Sequence, residues 1–539
     1  MRIAIVATAA VVMSGSGLTA QVTQQAKPAP EGYGAPFKAR PFGDGAIKVG
    51  PARGTVMVVG GGGQGPDVYK AFIDAAGGPD AIILDVPNAG GTDTVGPNTG
   101  AAWRNAGAKN VVVLFTKDRR VADSDSFTAI IKKAGGVWFE GGRQFHLVQD
   151  YGGTKSEREF MAVLERGGVI GGSSAGASIL GDFMVRGAPS NDNMIMDYPG
   201  YERAFGYLRN VGIDQHVVAR SRLPDLADSI VPRYPNLLGI SEDEGTVWVV
   251  RGDTARIIGR NKAFVYNGKD ATDPGSPFLT LHPGDQYNLN TRHVISRAID
   301  RSPVKLDLIN SMFAKYNDPA ALGATVLVAQ NGEVFIDHAF GIPAQPRYMP
   351  RTTLPQFELG DIQKTFTELC AQLPPQTGRG AVTPNAARPD SVAAAPAGRG
   401  RGRGGPPPSP LQQCVTRIST PVGAHQTAAV DSLRVQSSVD ELYRFALGLE
   451  VPTTWRSGPV QSTASSLPRN ASTNADYGKG WTVDTYKGVT RYAAYGTADG
   501  KRAAFVRVPE RHATIVILTN DASADARGMA EKILDQLLR

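Results

Sequence analysis

A serine set between glycines at the end of an apolar run is the part of this sequence best suited to chemistry. Gly172-x-Ser174-x-Gly176 follows the short strand-like Gly168-Val-Ile170 and leads into the helical Ser178-Ile-Leu-Gly-Asp. A strand–turn–helix of small residues can lift a hydroxyl above the end of a sheet, the arrangement of a nucleophile elbow. The helix start behind it offers N–H groups, that of Ala175 among them, to a developing oxyanion. Such a serine needs a base. Of seven histidines, 282, 293, 338 and 425 lie outside this part of the chain or at its edge, and 512 is in the tail. His146 sits among apolar neighbours and reads as packing, whereas His216 closes the strand-like Val211-Gly-Ile-Asp-Gln-His216 and reads as the base. An acid should orient the imidazole. Glu244 and Asp192 are both candidates, and spacing does not choose between them. No cluster of His, Cys and Asp has metal-ligand spacing, so neither metal nor cofactor is expected.

The elements that must position these residues are legible as alternation. Continuous apolar runs at 55–59, 81–85, 110–115, 136–139 and 168–170 are separated by helical stretches at 68–76 and 99–107. Buried strands alternating with helices predict a mostly parallel, doubly wound α/β sheet covered on both faces. This unit is expected over 53–270, with a linker over 271–301.

A second, α+β unit is expected over 302–370 and 414–539. It opens with helical periodicity over 304–316. A hairpin turning at Asn331-Gly332 follows, and the chain closes with a helix over 524–538. Between its halves, 371–413 is rich in Pro, Gly, Ala and Arg and lacks Ile, Phe, Tyr, Trp and Met. Such a segment cannot bury enough apolar area to offset its ordering entropy and is predicted to be disordered. Cys370 and Cys414 flank it, either bridged at the base of the insert or left as two buried thiols.

The 539 residues suit several domains. Lys+Arg 57 against Asp+Glu 50 gives +7. Five arginines and one aspartate in the insert supply +4 of this, leaving too mild an excess to predict nucleic-acid binding. At the N-terminus, Met1-Arg2, an apolar run over 3–13 and a small-residue stretch to Ala20 read as a secretory signal peptide, followed by a leader over 21–52. The apolar run is too short to span a bilayer, which takes about 20 residues. A secreted or periplasmic bacterial protein without a membrane span is expected.

Residues 53–270 resemble the cyanophycinase and peptidase E family of serine peptidases, whose fold is similar to class I glutamine amidotransferases. The matching segments are Val58-Val-Gly-Gly-Gly62, Phe139-Glu-Gly-Gly-Arg-Gln144, Gly171-Gly-Ser-Ser-Ala-Gly-Ala177, Gly212-Ile-Asp-Gln-His-Val-Val-Ala-Arg-Ser-Arg-Leu223 and Leu238-Gly-Ile-Ser-Glu-Asp-Glu-Gly-Thr246. The resemblance implies Ser174 as nucleophile, His216 as base and Glu244 as acid, with Asp192 second. It implies N–H groups of Gly141, Gly142 and Ala175 at the oxyanion, and Gln144, Asp214, Gln215, Arg220 and Arg222 toward substrate. Cyanophycinases cut a polymer with an aspartate backbone and arginine side groups, and guanidinium groups suit carboxylates through paired donors. Where that family carries a third arginine, this chain has Leu223-Pro-Asp225. The same resemblance explains Gly60-Gly-Gly-Gly-Gln-Gly65, which formally fits a dinucleotide-binding turn with Asp85 downstream.

The C-terminal unit resembles serine β-lactamase-like hydrolases. Asp361 stands where their nucleophilic serine would be, four residues after Phe357 and three before Lys364, and Tyr495-Gly496-Thr497 lacks the basic residue expected before its glycine. A non-catalytic, degenerate domain is expected. The reading is therefore a secreted serine exopeptidase acting on aspartyl or β-aspartyl peptides, with a homodimer left open. The alternative is a catalytically inactive peptide- or cell-wall-binding protein.

Overall fold

A computed structural model of the chain describes residues 28–39, 48–190, 192–317, 323–341, 356–372, 408–450, 480–498 and 500–539. The signal-peptide reading and most of the Arg/Pro/Gly insert lie outside the described residues.

The apolar runs become strands because neighbours cover both of their faces. β1 (Thr55–Val59), β2 (Ile82–Val86), β3 (Asn110–Val113), β4 (Gly136–Phe139) and β5 (Val169–Ser173) form a parallel group in the order β1-β5-β4-β2-β3. Phe72 of helix Pro66–Ala75 packs with Met57, Trp103 and Trp138 on one face. Phe160 of helix Lys155–Glu165 packs with Phe139 and Ile170 on the other. β6 (Val211–Gln215) and β7 (Leu238–Glu242) pair in parallel in a second sheet, where β10 (Ala263–Tyr266) and β11 (Leu279–Leu281) join them. β8 (Thr246–Arg251) runs antiparallel to β1 and continues the larger sheet through β9 (Thr254–Gly259), β12 (Gln286–Asn288) and β13 (His293–Ser296) to nine strands.

Residues 271–301, predicted as a linker, thus contribute β11, β12 and β13 to the two sheets. Their strands are only three or four residues long. Leu281, Tyr287 and Leu289 are fully buried in the α/β core, which outweighs the turn-rich composition around them.

The C-terminal unit is α+β. Its antiparallel six-stranded sheet has the order 333–340, 324–330, 513–519, 501–508, 489–498, 482–486. Asn331 (φ 54) and Gly332 (φ 76) make the predicted hairpin turn, with Gln330 opposite Glu333. Helices Leu306–Phe313 and Ala526–Leu537 cover one face; Lys364–Gln372, Pro410–Ser419 and Val439–Glu450 cover the other. Helix Pro410–Ser419 starts inside the segment predicted as disordered. Ser409 and Gln412 form a capping box there, with proline in the first turn. Cys370 and Cys414 form a disulfide between two of these helices, with a Cα separation of 5.8 Å. No helix among the described residues is long and apolar enough to cross a membrane.

Candidate active site

The turn after β5 sets Ser174 at φ 59, ψ −116, a conformation that non-glycine residues seldom adopt. Helix Ala175–Ser178 follows directly. The strain aims the hydroxyl away from the sheet and toward the end of β6, where His216 also takes positive φ (57°). His216 Nε2 lies 2.8 Å from Ser174 Oγ, and its Nδ1 lies 2.6 Å from Glu244 Oε1. Glu244 sits just past β7, the parallel neighbour of β6, so two adjacent strand ends deliver imidazole and carboxylate side by side. Two glycines leave the room this requires. A Cβ on Gly61 (φ +91) would stand 2.1 Å from His216 Cε1, and one on Gly62 (φ +67) 2.7 Å from Glu244 Oε2.

The electrostatics follow from burial. His216 is 5% exposed, and burial lowers its pKa although hydrogen bonding and charge attraction from Glu244 oppose the shift. Burial alone would raise the Glu244 carboxyl. Hydrogen bonds from His216 and from His425 outweigh it and hold the group well below the usual carboxylate range. His425 is the residue that sequence reasoning set aside. It belongs to the C-terminal unit, yet its Nε2 lies 2.9 Å from Glu244 Oε2, across 181 positions of sequence.

Asp192, the second candidate acid, lies in an exposed loop where its carboxylate accepts the Met194 N–H at 2.8 Å. Glu244, not Asp192, meets His216. His146 packs against Phe145 with ring centroids 4.0 Å apart, and burial pushes its pKa down to about 4. Gly141 lies against the serine, its Cβ position 3.8 Å from Ser174 Oγ, and Gly142 turns against the Ala89 carbonyl.

The residues predicted to face substrate divide into two groups. Gln144 is buried and its side-chain amide donates to the Val185 carbonyl. Asp214 is fully buried and accepts from Nε and Nη2 of Arg186, each at 2.8 Å. Asp225 also accepts from Arg186. The carboxylate at 225, in the stretch where the resembled family carries a third arginine, is therefore paired with an arginine that sequence reasoning did not single out. Gln215 and Arg222 remain. Gln215 Oε1 and Arg222 Nε and Nη2 have no hydrogen-bond partner among the described residues. Arg222 is 1% exposed, and burial pushes its pKa down to about 9, so it stays cationic at neutral pH. The Arg220 N–H donates to the His216 carbonyl at 2.8 Å and tightens the turn behind the imidazole.

An apposed hydroxyl, imidazole and carboxylate, with a buried guanidinium that keeps two donor nitrogens without partners among the described residues, can carry acyl transfer on a carboxylate-bearing substrate. The sequence profile of Peptidase family S51 matches residues 56–258. Cyanophycinase of Synechococcus elongatus is 30% identical over 267 residues, covering 46% of this chain and 83% of that protein. Cyanophycinase of Geminocystis herdmanii (strain PCC 6308) is 28% identical over 272 residues, covering 46% of this chain and 98% of its own length. Among solved structures, a peptidase from an acI-B1 Actinobacterium is 23% identical with a TM-score of 0.35, covering 44% of this chain and 98% of that one. With the matched profile and a 30% identical relative spanned over most of its length, the chain belongs to Peptidase family S51.

Proposed function

We propose that this peptidase-family protein is a serine-type exopeptidase that hydrolyses aspartyl or β-aspartyl peptides. The observation that carries the reading is the line Ser174 Oγ, His216, Glu244, with contacts of 2.8 and 2.6 Å. His216 takes the Ser174 proton as the oxygen attacks the scissile carbonyl. N–H groups of Ala175 and of Gly141-Gly142 receive the oxyanion, and the imidazolium is stabilised by Glu244. His216 then gives its proton to the leaving amine. Water, deprotonated by the same imidazole, releases the acyl group and restores the serine.

Arg222 supports the substrate class. A buried cation with two donor nitrogens lacking partners among the described residues suits a carboxylate, which accepts both at once. Export is part of the proposal; the basic–apolar–small N-terminus and the Cys370–Cys414 bridge support it. The C-terminal unit is read as non-catalytic, because Lys364 and Asp361 are paired at 2.9 Å with no hydroxyl to acylate.

The deciding experiment is Ser174→Ala assayed on aspartyl and β-aspartyl dipeptides, with fluorophosphonate labelling of the unaltered protein alongside. Loss of turnover and labelling confined to Ser174 are expected. Turnover that survives the substitution removes the serine mechanism, and an unlabelled, inactive native protein favours a binding role.

A further inference from the structure

The C-terminal unit reaches the proposed triad at two places. The direct contact is His425 on Glu244. The two oxygens of Glu244 have separate partners: Oε1 is 2.6 Å from His216 Nδ1 and Oε2 is 2.9 Å from His425 Nε2. A carboxylate held at one oxygen can still swing about its last bond. Held at both, its plane is fixed, and so is the imidazole that leans on it.

The loop carrying His425 is itself pinned. Glu441 Oε2 accepts the N–H groups of Gln426 and Thr427 at 3.1 and 3.0 Å. Glu441 Oε1 also accepts from Arg444 Nη1 at 2.8 Å, one turn along helix Val439–Glu450.

The second contact starts from the same arginine. Arg444 Nη2 donates to Asn261 Oδ1 at 2.7 Å, and the Asn261 amide donates to Asp243. Asp243 Oδ1 accepts the N–H groups of Val218 and Ala219 at 3.1 and 2.8 Å, in the turn that follows His216. Glu441, Arg444, Asn261 and Asp243 are all at most 5% exposed. One helix of the second unit thus braces the acid through His425 and the backbone behind the base through Asn261 and Asp243.

We infer that the C-terminal unit is a built-in part of the hydrolytic site and that His425 is a positioning residue, locking the Glu244 carboxylate in the plane that aligns His216. This rests on the serine-hydrolase reading above. It gives the unit a task that needs no catalytic group of its own.

The test compares His425→Ala, His425→Phe and His425→Gln in the full chain, with kcat and KM measured on an aspartyl or β-aspartyl peptide and Tm recorded for each. Phe fills the space without a donor, whereas Gln restores an N–H at similar reach. For Ala and Phe, kcat should fall roughly 10- to 100-fold, the worth of one hydrogen bond to a charged group. KM should hold, and Gln should recover much of the loss. Should Ala fail to fold, the contrast between Phe and Gln decides alone. Unchanged kcat in the donor-free variants, or equal loss in Phe and Gln, overturns the inference. Ser174→Ala separates the two layers. If it is inactive while donor-free variants at 425 keep full activity, only the role of His425 falls. If it stays active, the underlying mechanism falls.

Discussion

Arg186 closes on Asp214 through two parallel N–H···O contacts of 2.8 Å, with both side chains 1% exposed. Asp214 lies two residues before His216, so the pair anchors the strand that leads to the imidazole. Burial raises the Asp214 carboxyl, and the Arg186 charge more than offsets it, so its folded pKa lies below the ordinary value. That contribution to stability is present above about pH 4 and is lost as pH falls through the lowered pKa. Asp214→Ala should cost about 3 kcal/mol, the lower end for breaking a buried pair, because Asp225 still holds Arg186. Urea unfolding at pH 7 checks the value. A loss within experimental error would show that the pair carries no stability.

The pH profile should expose the buried imidazole. Glu244, Arg220 and Arg222 are the charged groups acting on His216, and the net effect of burial and charge lowers its pKa. A base with a lowered pKa stays unprotonated into more acidic solution. The acid limb of kcat/KM should therefore have its midpoint below about 6.5, the ordinary histidine value. A midpoint above 7 would contradict the assignment of His216 as the base.

Arg222→Met should separate binding from folding. The substitution removes a buried cation with two unpartnered donors, so Tm should not fall. KM for an aspartyl substrate should rise roughly 10- to 100-fold, the worth of one charge-assisted hydrogen bond. A lower Tm with unchanged KM would make Arg222 structural.

Gly61→Ala should damage the site from behind. Its Cβ would stand 2.1 Å from His216 Cε1, so the ring must move off Ser174. A displacement of about 1 Å at the reacting groups lowers kcat about 100-fold. Steady-state kinetics on a variant with native-like circular dichroism would measure this.

Nitrocefin should remain intact with the native protein. Lys364 and Asp361 are both largely exposed, and removing their ion pair should change stability by less than about 1 kcal/mol. Hydrolysis that persists in Ser174→Ala would assign an acylating group to the C-terminal unit.

Much of the site could be read in the sequence because its parts are local. The elbow around Ser174 is written in adjacent small residues, and His216 marks the end of an apolar strand. The parallel strands stand out because burial on both faces makes them continuous apolar runs. Three features depended on distant partners. That Glu244 rather than Asp192 meets His216 follows from β7 lying beside β6. Arg186, in an unremarkable Val-Arg-Gly, gains its meaning from carboxylates 28 and 39 residues away. His425 was set aside for lying in the wrong unit, and no local pattern marks a side chain that acts across 181 positions. β11 to β13 were missed because a few short pairings suffice to extend a sheet that already exists.

The bridge between Cys370 and Cys414 has a covalent consequence for the whole chain. If a protease cut the polypeptide anywhere between those two cysteines, neither piece would drift away. On a denaturing gel the piece bearing Ser174 and the piece bearing His425 would stay tethered and migrate as one species until a thiol reagent parted them.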